Sequence, residues 1–160
     1  MGLMRKVGLV LKAKMMKLTQ IYNNKDAQIW VNNPYCYLQI NWLQHPTSTS
    51  FRQTLIFALN YALAYQVSCW MCDMREIIYL ELTDQNWLVR EVFPAFDPMS
   101  HHVYAFLVGT KGEELCCSYH INELVEERKD LNEKINIEIF FEKNLAQQWL
   151  LDQGKVRHCA

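Results

Sequence analysis

Three short runs near the start of the chain carry strand signals. Residues 18–23 (Leu-Thr-Gln-Ile-Tyr-Asn) alternate weakly and end in the turn cluster Asn23-Asn24-Lys25-Asp26. Residues 27–32 (Ala-Gln-Ile-Trp-Val-Asn) are rich in β-formers, and Asn33-Pro34 breaks them. Residues 36–43 alternate, with Tyr37, Gln39 and Asn41 on one face and Leu38, Ile40 and Trp42 on the other. Short alternating runs split by turn residues predict an antiparallel meander.

The period then changes. After His45-Pro46-Thr47-Ser48, apolar residues recur at Phe51, Leu55, Ala58, Leu59, Ala62 and Leu63, which predicts a helix over 48–65. Residues 67–73 are apolar on both faces, as in a strand covered on two sides. Thr83 is the expected N-cap of a helix running to Phe93, where Pro94 stops it. Residues 103–108 form the most apolar strand candidate, ended by Gly109. A polar helix is expected over about 118–132, and its charge run Glu126 to Asp130 reads as a solvated face. Residues 135–141 alternate as a strand, and 143–152 close as a helix, with Gly154 as a C-cap signal.

The predicted order is β-β-β-α-β-α-β-α-β-α. Strands that alternate with helices argue for parallel neighbours joined by crossovers. The expected fold is α/β, a mixed sheet whose N-terminal antiparallel meander is followed by β-α units. No internal repeat or linker interrupts it, so 18–152 is expected to form one domain, with 1–17 as a basic leader and 153–160 as a tail.

Composition adds little to this picture, but charge does. Half of the 160 residues are hydrophobic, 21 % are charged, and the formal net charge is −1. This is ordinary globular composition, and no global charge draws the chain to nucleic acid. Near-neutrality hides an asymmetry. Arg5, Lys6, Lys12, Lys14 and Lys17 give residues 1–17 a charge of +5 with no acid, which leaves the rest at −6. The leader's longest apolar stretch, Val7 to Leu11, is shorter than the about 7–15 residues of a secretory core. Lys6 spoils a myristoylation pattern. The leader therefore reads as disordered, or as sequence ahead of a true start at Met15 or Met16. A weak basic membrane-surface helix is the alternative. No run approaches the about 20 apolar residues of a membrane span. The cytoplasm is the expected compartment, with the six cysteines mostly free thiols packed as small hydrophobes.

Several motifs resemble a known group: the strand ending Trp70-Met71-Cys72-Asp73-Met74-Arg75, the helix opening Thr83-Asp84-Gln85-Asn86-Trp87, Val92-Phe93-Pro94, and the late pattern Phe140-Phe141, Ala146, Trp149-Leu150. In this order over residues 18–152 they resemble the STAS-like domains related to bacterial anti-sigma-factor antagonists, in particular the small stand-alone proteins of Bacteroidetes-type genomes. The resemblance implies a small α/β regulatory domain that binds a protein partner and sometimes a small ligand. Family members are switched by phosphorylation of a serine in an Asp-Ser loop after a central strand. Here Met74 and Arg75 follow Asp73, so that switch is not carried over. Thr83, at a helix start, tolerates a phosphate electrostatically, but its role as a cap accounts for it.

The remaining chemical candidates are weaker. Cys69 and Cys72 have redox spacing, but a strand points side chains three apart to opposite faces. A zinc site from Cys69, Cys72, Cys116 and Cys117 needs four converging ligands, which the adjacent Cys116-Cys117 pair supplies poorly. His101-His102 read as exposed loop histidines, and His45 and His120 are isolated. Gly109-Thr110-Lys111-Gly112 is too short for a phosphate loop and reads as a turn.

One cluster stands out. Asp73 and Arg75 lie at the C-terminal end of a central strand, where ligands of open α/β sheets bind. Arg75 would hold a carboxylate or phosphate through two parallel hydrogen bonds, with Trp87 and Arg90 as walls. The bland reading is an Asp–Arg pair that caps the loop, with Trp87 in the core. The expected function is a non-enzymatic, STAS-like regulatory or protein-interaction module, with no cofactor and no metal. Its partner is an unidentified protein, and a second copy of the chain is one candidate. The alternative is a binding domain for a small anionic or lipid-like ligand at Asp73 and Arg75.

Overall fold

The computed structural model describes residues 16–154. The basic leader up to residue 15 and residues 155–160 lie outside the described residues, as do the readings made for them. The described chain is an α/β fold around a six-stranded mixed sheet of order β1-β2-β3-β4-β5-β6. Strands β1 (Thr19–Asn23), β2 (Ala27–Asn32) and β3 (Tyr37–Trp42) form the antiparallel meander. Strands β4 (Cys69–Asp73), β5 (His102–Leu107) and β6 (Ile135–Phe140) follow it in parallel. The helices are α1 (Ser48–Tyr65), α2 (Leu82–Trp87), α3 (Glu113–Glu126), α4 (Lys129–Asn132) and α5 (Lys143–Gly154).

Sheet order explains the layering. Each crossover from β3 to β6 moves one strand in the same direction. Right-handed crossovers that all step one way place their helices on the same face. Accordingly Phe51, Leu55 and Ala58 of α1, Leu88, Val89, Val92 and Phe93 after α2, and Ile121 and Val125 of α3 share a core with Leu38, Ile40, Trp70 and Tyr104. Among the described helices only α5 crosses to the other face, where Ala146 and Leu150 pack on Tyr37, Met71, Ala105 and Leu107. There α5 lies over β4, β5 and β6. On this second face the meander presents Gln28, Trp30 and Asn32 of β2 beside Tyr37, Gln39 and Asn41, the face of β3 that the alternation predicted.

Local chemistry sets the ends. Thr47 accepts the Ser50 N–H and opens α1, and Gln66 closes it in a left-handed conformation at φ 57°. The bounds of three expected helices are corrected. The helix after β4 starts at Leu82 with Glu81 as its N-cap, and Thr83 lies exposed in the first turn. It then widens into a π-helical turn over Leu88–Val92 and tightens into a 3-10 turn over Phe93–Ala95, where Pro94 ends the path. The polar helix begins at Glu113, five residues before the expected 118, because Gly112 (φ 96°) turns the chain straight into it. Glu113 and Glu114 then complement the positive end of its dipole. It ends at Glu126, and Lys129–Asn132 forms the separate turn α4. The closing helix runs two residues past the expected domain end, to Gly154.

Among the described residues no helix is long and apolar enough to cross a membrane.

Candidate functional site

Asp73 is the last residue of β4, and Arg75 follows it by two. Arg75 donates from Nε to Asp73 Oδ1 at 2.9 Å and from Nη2 to Oδ2 at 2.7 Å. Its backbone N–H donates to Oδ1 at 3.2 Å. The carboxylate therefore closes a small turn around the guanidinium, and its hydrogen bond raises the pKa of Arg75 further above its ordinary value. Geometrically this is the loop-capping pair.

A cleft of about 520 Å³ opens beside it at the C-terminal ends of the parallel strands. Its lining mixes Arg75, Lys111 and His45 with Glu76, Glu113 and Glu114. Glu114 is buried and accepts the Gly109 N–H at 3.0 Å, so the loop after β5 is tied down by its own carboxylate. Neither Trp87 nor Arg90 lines the cleft. Trp87 packs edge-on against Phe51 of α1, with the Arg52 guanidinium 5.2 Å from its ring centre. Arg90 is exposed on the π-helical turn. The structure thus joins Asp73 to Arg75 and places Trp87 and Arg90 elsewhere.

Among the described thiols, Cys69, Cys72 and Cys117 are buried and serve packing, whereas Cys116 is exposed. Cys69 and Cys72 point to opposite faces of β4, one into each core. Burial pushes the Cys72 thiol up to about 12. Burial also raises Cys117. Cys69, Cys72, Cys116 and Cys117 remain thiols, whereas Cys36 is disulfide-bonded. Among the described residues no three His, Cys, Asp or Glu side chains are gathered as metal ligands.

His102 departs from expectation. It opens β5 and is buried rather than exposed in a loop. The Trp70 indole donates to its Nδ1 at 3.5 Å, so Nε2 carries the proton and donates to the Asp97 carbonyl at 3.0 Å. Burial lowers its pKa to about 4.

The surface that sequence reading passed over is the outer side of α1. At 100° per residue, Phe51, Leu55, Ala58 and Ala62 face the sheet. Gln53, Ile56, Phe57, Asn60, Leu63 and Ala64 face away and are exposed. Ile56 is 46 %, Phe57 37 % and Leu63 48 % exposed. The neighbouring Tyr22 ring on β1 lies 4.8 Å from Phe57 and extends the patch. In eighteen residues α1 has one charged side chain, Arg52. A helix apolar on both sides belongs between two layers, and only one layer covers this one among the described residues. The signal was present in the sequence as that scarcity of charge.

No family model, no curated protein and no solved structure matches the chain.

Proposed function

We propose that this chain is a non-enzymatic regulatory or protein-interaction module of the STAS-like type that its element order resembles. The observation that carries the reading is the outer face of α1, where Ile56, Phe57 and Leu63 are held in water by a helix already anchored on its other side. Exposed apolar patches on a well-packed domain mark contact with another macromolecule. The same reading implies the cytoplasm, against which the disulfide at Cys36 counts.

A photo-crosslinking residue at position 60 in the native host tests the reading. The expected result is a covalent adduct with a polypeptide, lost when Leu63→Glu is added. Absence of any polypeptide adduct overturns it.

A second reading, a small anionic or lipid-like ligand at the Asp73/Arg75 strand end, is favoured by the cleft that opens beside Arg75. It predicts thermal stabilisation by a ligand class and loss of that shift in Arg75→Ala. A screen with no shift for any class removes it.

A further inference from the structure

We infer that the outer face of α1 receives a second copy of this chain, as an antiparallel α1–α1 pair about a two-fold axis at Asn60. This rests on the interaction reading above and names its partner.

Asn60 lies at the centre of the outer face, opposite the buried line of Phe51, Leu55, Ala58 and Ala62. Ile56 and Leu63 flank it on one side, and Phe57 and Ala64 on the other. A two-fold axis across the helix reverses its direction and sets each flank against itself. Ile56 then meets the partner's Leu63, a branched pair of similar size. The bulky Phe57 meets the partner's Ala64, the smallest side chain on the face. At the axis Asn60 meets its own copy, and a carboxamide both donates and accepts, so it pairs with itself. A central asparagine between apolar pairs also fixes register in helix seams.

Charge points to the same partner. From Gln53 to Gln66 the helix has no charged side chain, so two copies meet without like charges opposed. The face of α3 that looks outward instead carries exposed Glu123 and Glu126 and would repel its own copy. Size sets the strength. Eighteen residues give a strip about 27 Å long and about 10 Å wide. That is smaller than the roughly 800 Å² per partner of a standard interface, even with Tyr22 at its margin. The pair therefore forms and dissociates with concentration.

Sedimentation velocity of the full chain over a wide concentration range tests this. The wild type is expected to pass from monomer to dimer. Asn60→Asp, which sets two carboxylates at the axis, is expected to remain monomeric with an unchanged melting temperature at low concentration. Asn60→Cys is expected to give a covalent dimer under mild oxidation, at a yield the wild type, with its own cysteines, does not reach. A wild type that stays monomeric throughout overturns the proposal, as does a dimer that Asn60→Asp leaves intact. A monomer whose position-60 crosslinker captures a different polypeptide overturns self-pairing and leaves the interaction reading standing. A monomer with no polypeptide adduct, including one labelled only by lipid, removes both.

Discussion

Asp84 accepts the Arg52 Nε–H at 2.8 Å while its carboxylate is almost wholly buried, and the bond ties α2 to α1 across 32 residues of chain. Ser48 Oγ donates to the same oxygen at 2.7 Å. Hydrogen bonds to a charged, buried acceptor are worth more than neutral ones, and leaving the donors without it adds a penalty. Asp84→Ala is expected to cost about 2–3 kcal/mol in urea unfolding. Arg52→Ala should cost about 1 kcal/mol, because its side chain is over one-third exposed and its contact with Trp87 is a modest cation–π interaction. Equal costs for the two variants would refute this account of the pair.

The end of α1 offers a stabilising change. Gln66 sits at φ 57° and ψ 41°, a left-handed conformation that costs an L side chain roughly 1–2 kcal/mol and costs glycine nothing. The greater freedom of glycine in the unfolded chain cancels part of the gain. Gln66→Gly is expected to stabilise the protein by about 0.5–1 kcal/mol, and Gln66→Ala to leave it within about 0.5 kcal/mol. A glycine variant less stable than wild type in thermal unfolding would contradict the strain argument.

Much of the architecture was legible because it rests on periodicity. Tyr37–Trp42 and Ile135–Phe140 alternate so that a register slip would turn every apolar side chain to the wrong face. α1 matches its predicted bounds because Thr47 caps it and Phe51, Leu55, Ala58 and Ala62 hold one face. The path from Leu82 to Ala95 was not legible in detail. A π-helical turn adds a residue to the winding, which a 3.6-residue pattern does not register, and it rotates the side chains beyond it. The strand-end pair of Asp73 and Arg75, two residues apart, could be read in place, whereas Arg90 lies inside the π-helical turn and its direction could not. Trp87 is claimed by Phe51 and Arg52, contacts 36 and 35 residues away that no local pattern encodes.

Gly154, the last residue of α5, is there for want of room. A Cβ at this position would stand 2.9 Å from Cys69 Sγ, closer than real contacts allow. Gly154→Ala forces helix and strand apart and is expected to cost about 1–3 kcal/mol, as other overpacked sites do. Cys69→Ala removes the sulfur and should cost about 1 kcal/mol for its cavity. In the double variant the alanine methyl fills that space. Its cost should fall below the sum of the two singles by at least about 0.5 kcal/mol. Additive costs in denaturant unfolding would show that the contact with Cys69 is not what excludes a side chain here.

His102 gives the fold a dependence on pH with a definite sign. Buried against Phe96, at 4.8 Å between ring centres, and bonded through both nitrogens while neutral, it has a pKa of about 4 when folded, against 6.5 in an open chain. Above pH 7 it is neutral in both states and contributes almost no slope. As pH falls below 6.5 the unfolded chain takes up a proton that the folded protein refuses, so stability declines until the folded group also titrates near 4. At pH 5 the loss relative to pH 7.5 is about 2 kcal/mol. The carboxylates of Asp26 and Asp97 are held below their ordinary value by hydrogen bonds from Gln44 and Ser50 and from the Met99 N–H. They act in the same sense, since the unfolded chain again binds the proton first, but lower on the pH scale. Their contribution is fully present above about pH 4 and is lost only below it, so the two windows separate. Urea unfolding at pH 7.5, 6 and 5 should show the decline in the wild type. In His102→Gln the amide keeps a donor and an acceptor but does not titrate, so the curve over the same range should flatten whatever its absolute stability. A His102→Gln variant that retains the full slope would assign the acid sensitivity to another group.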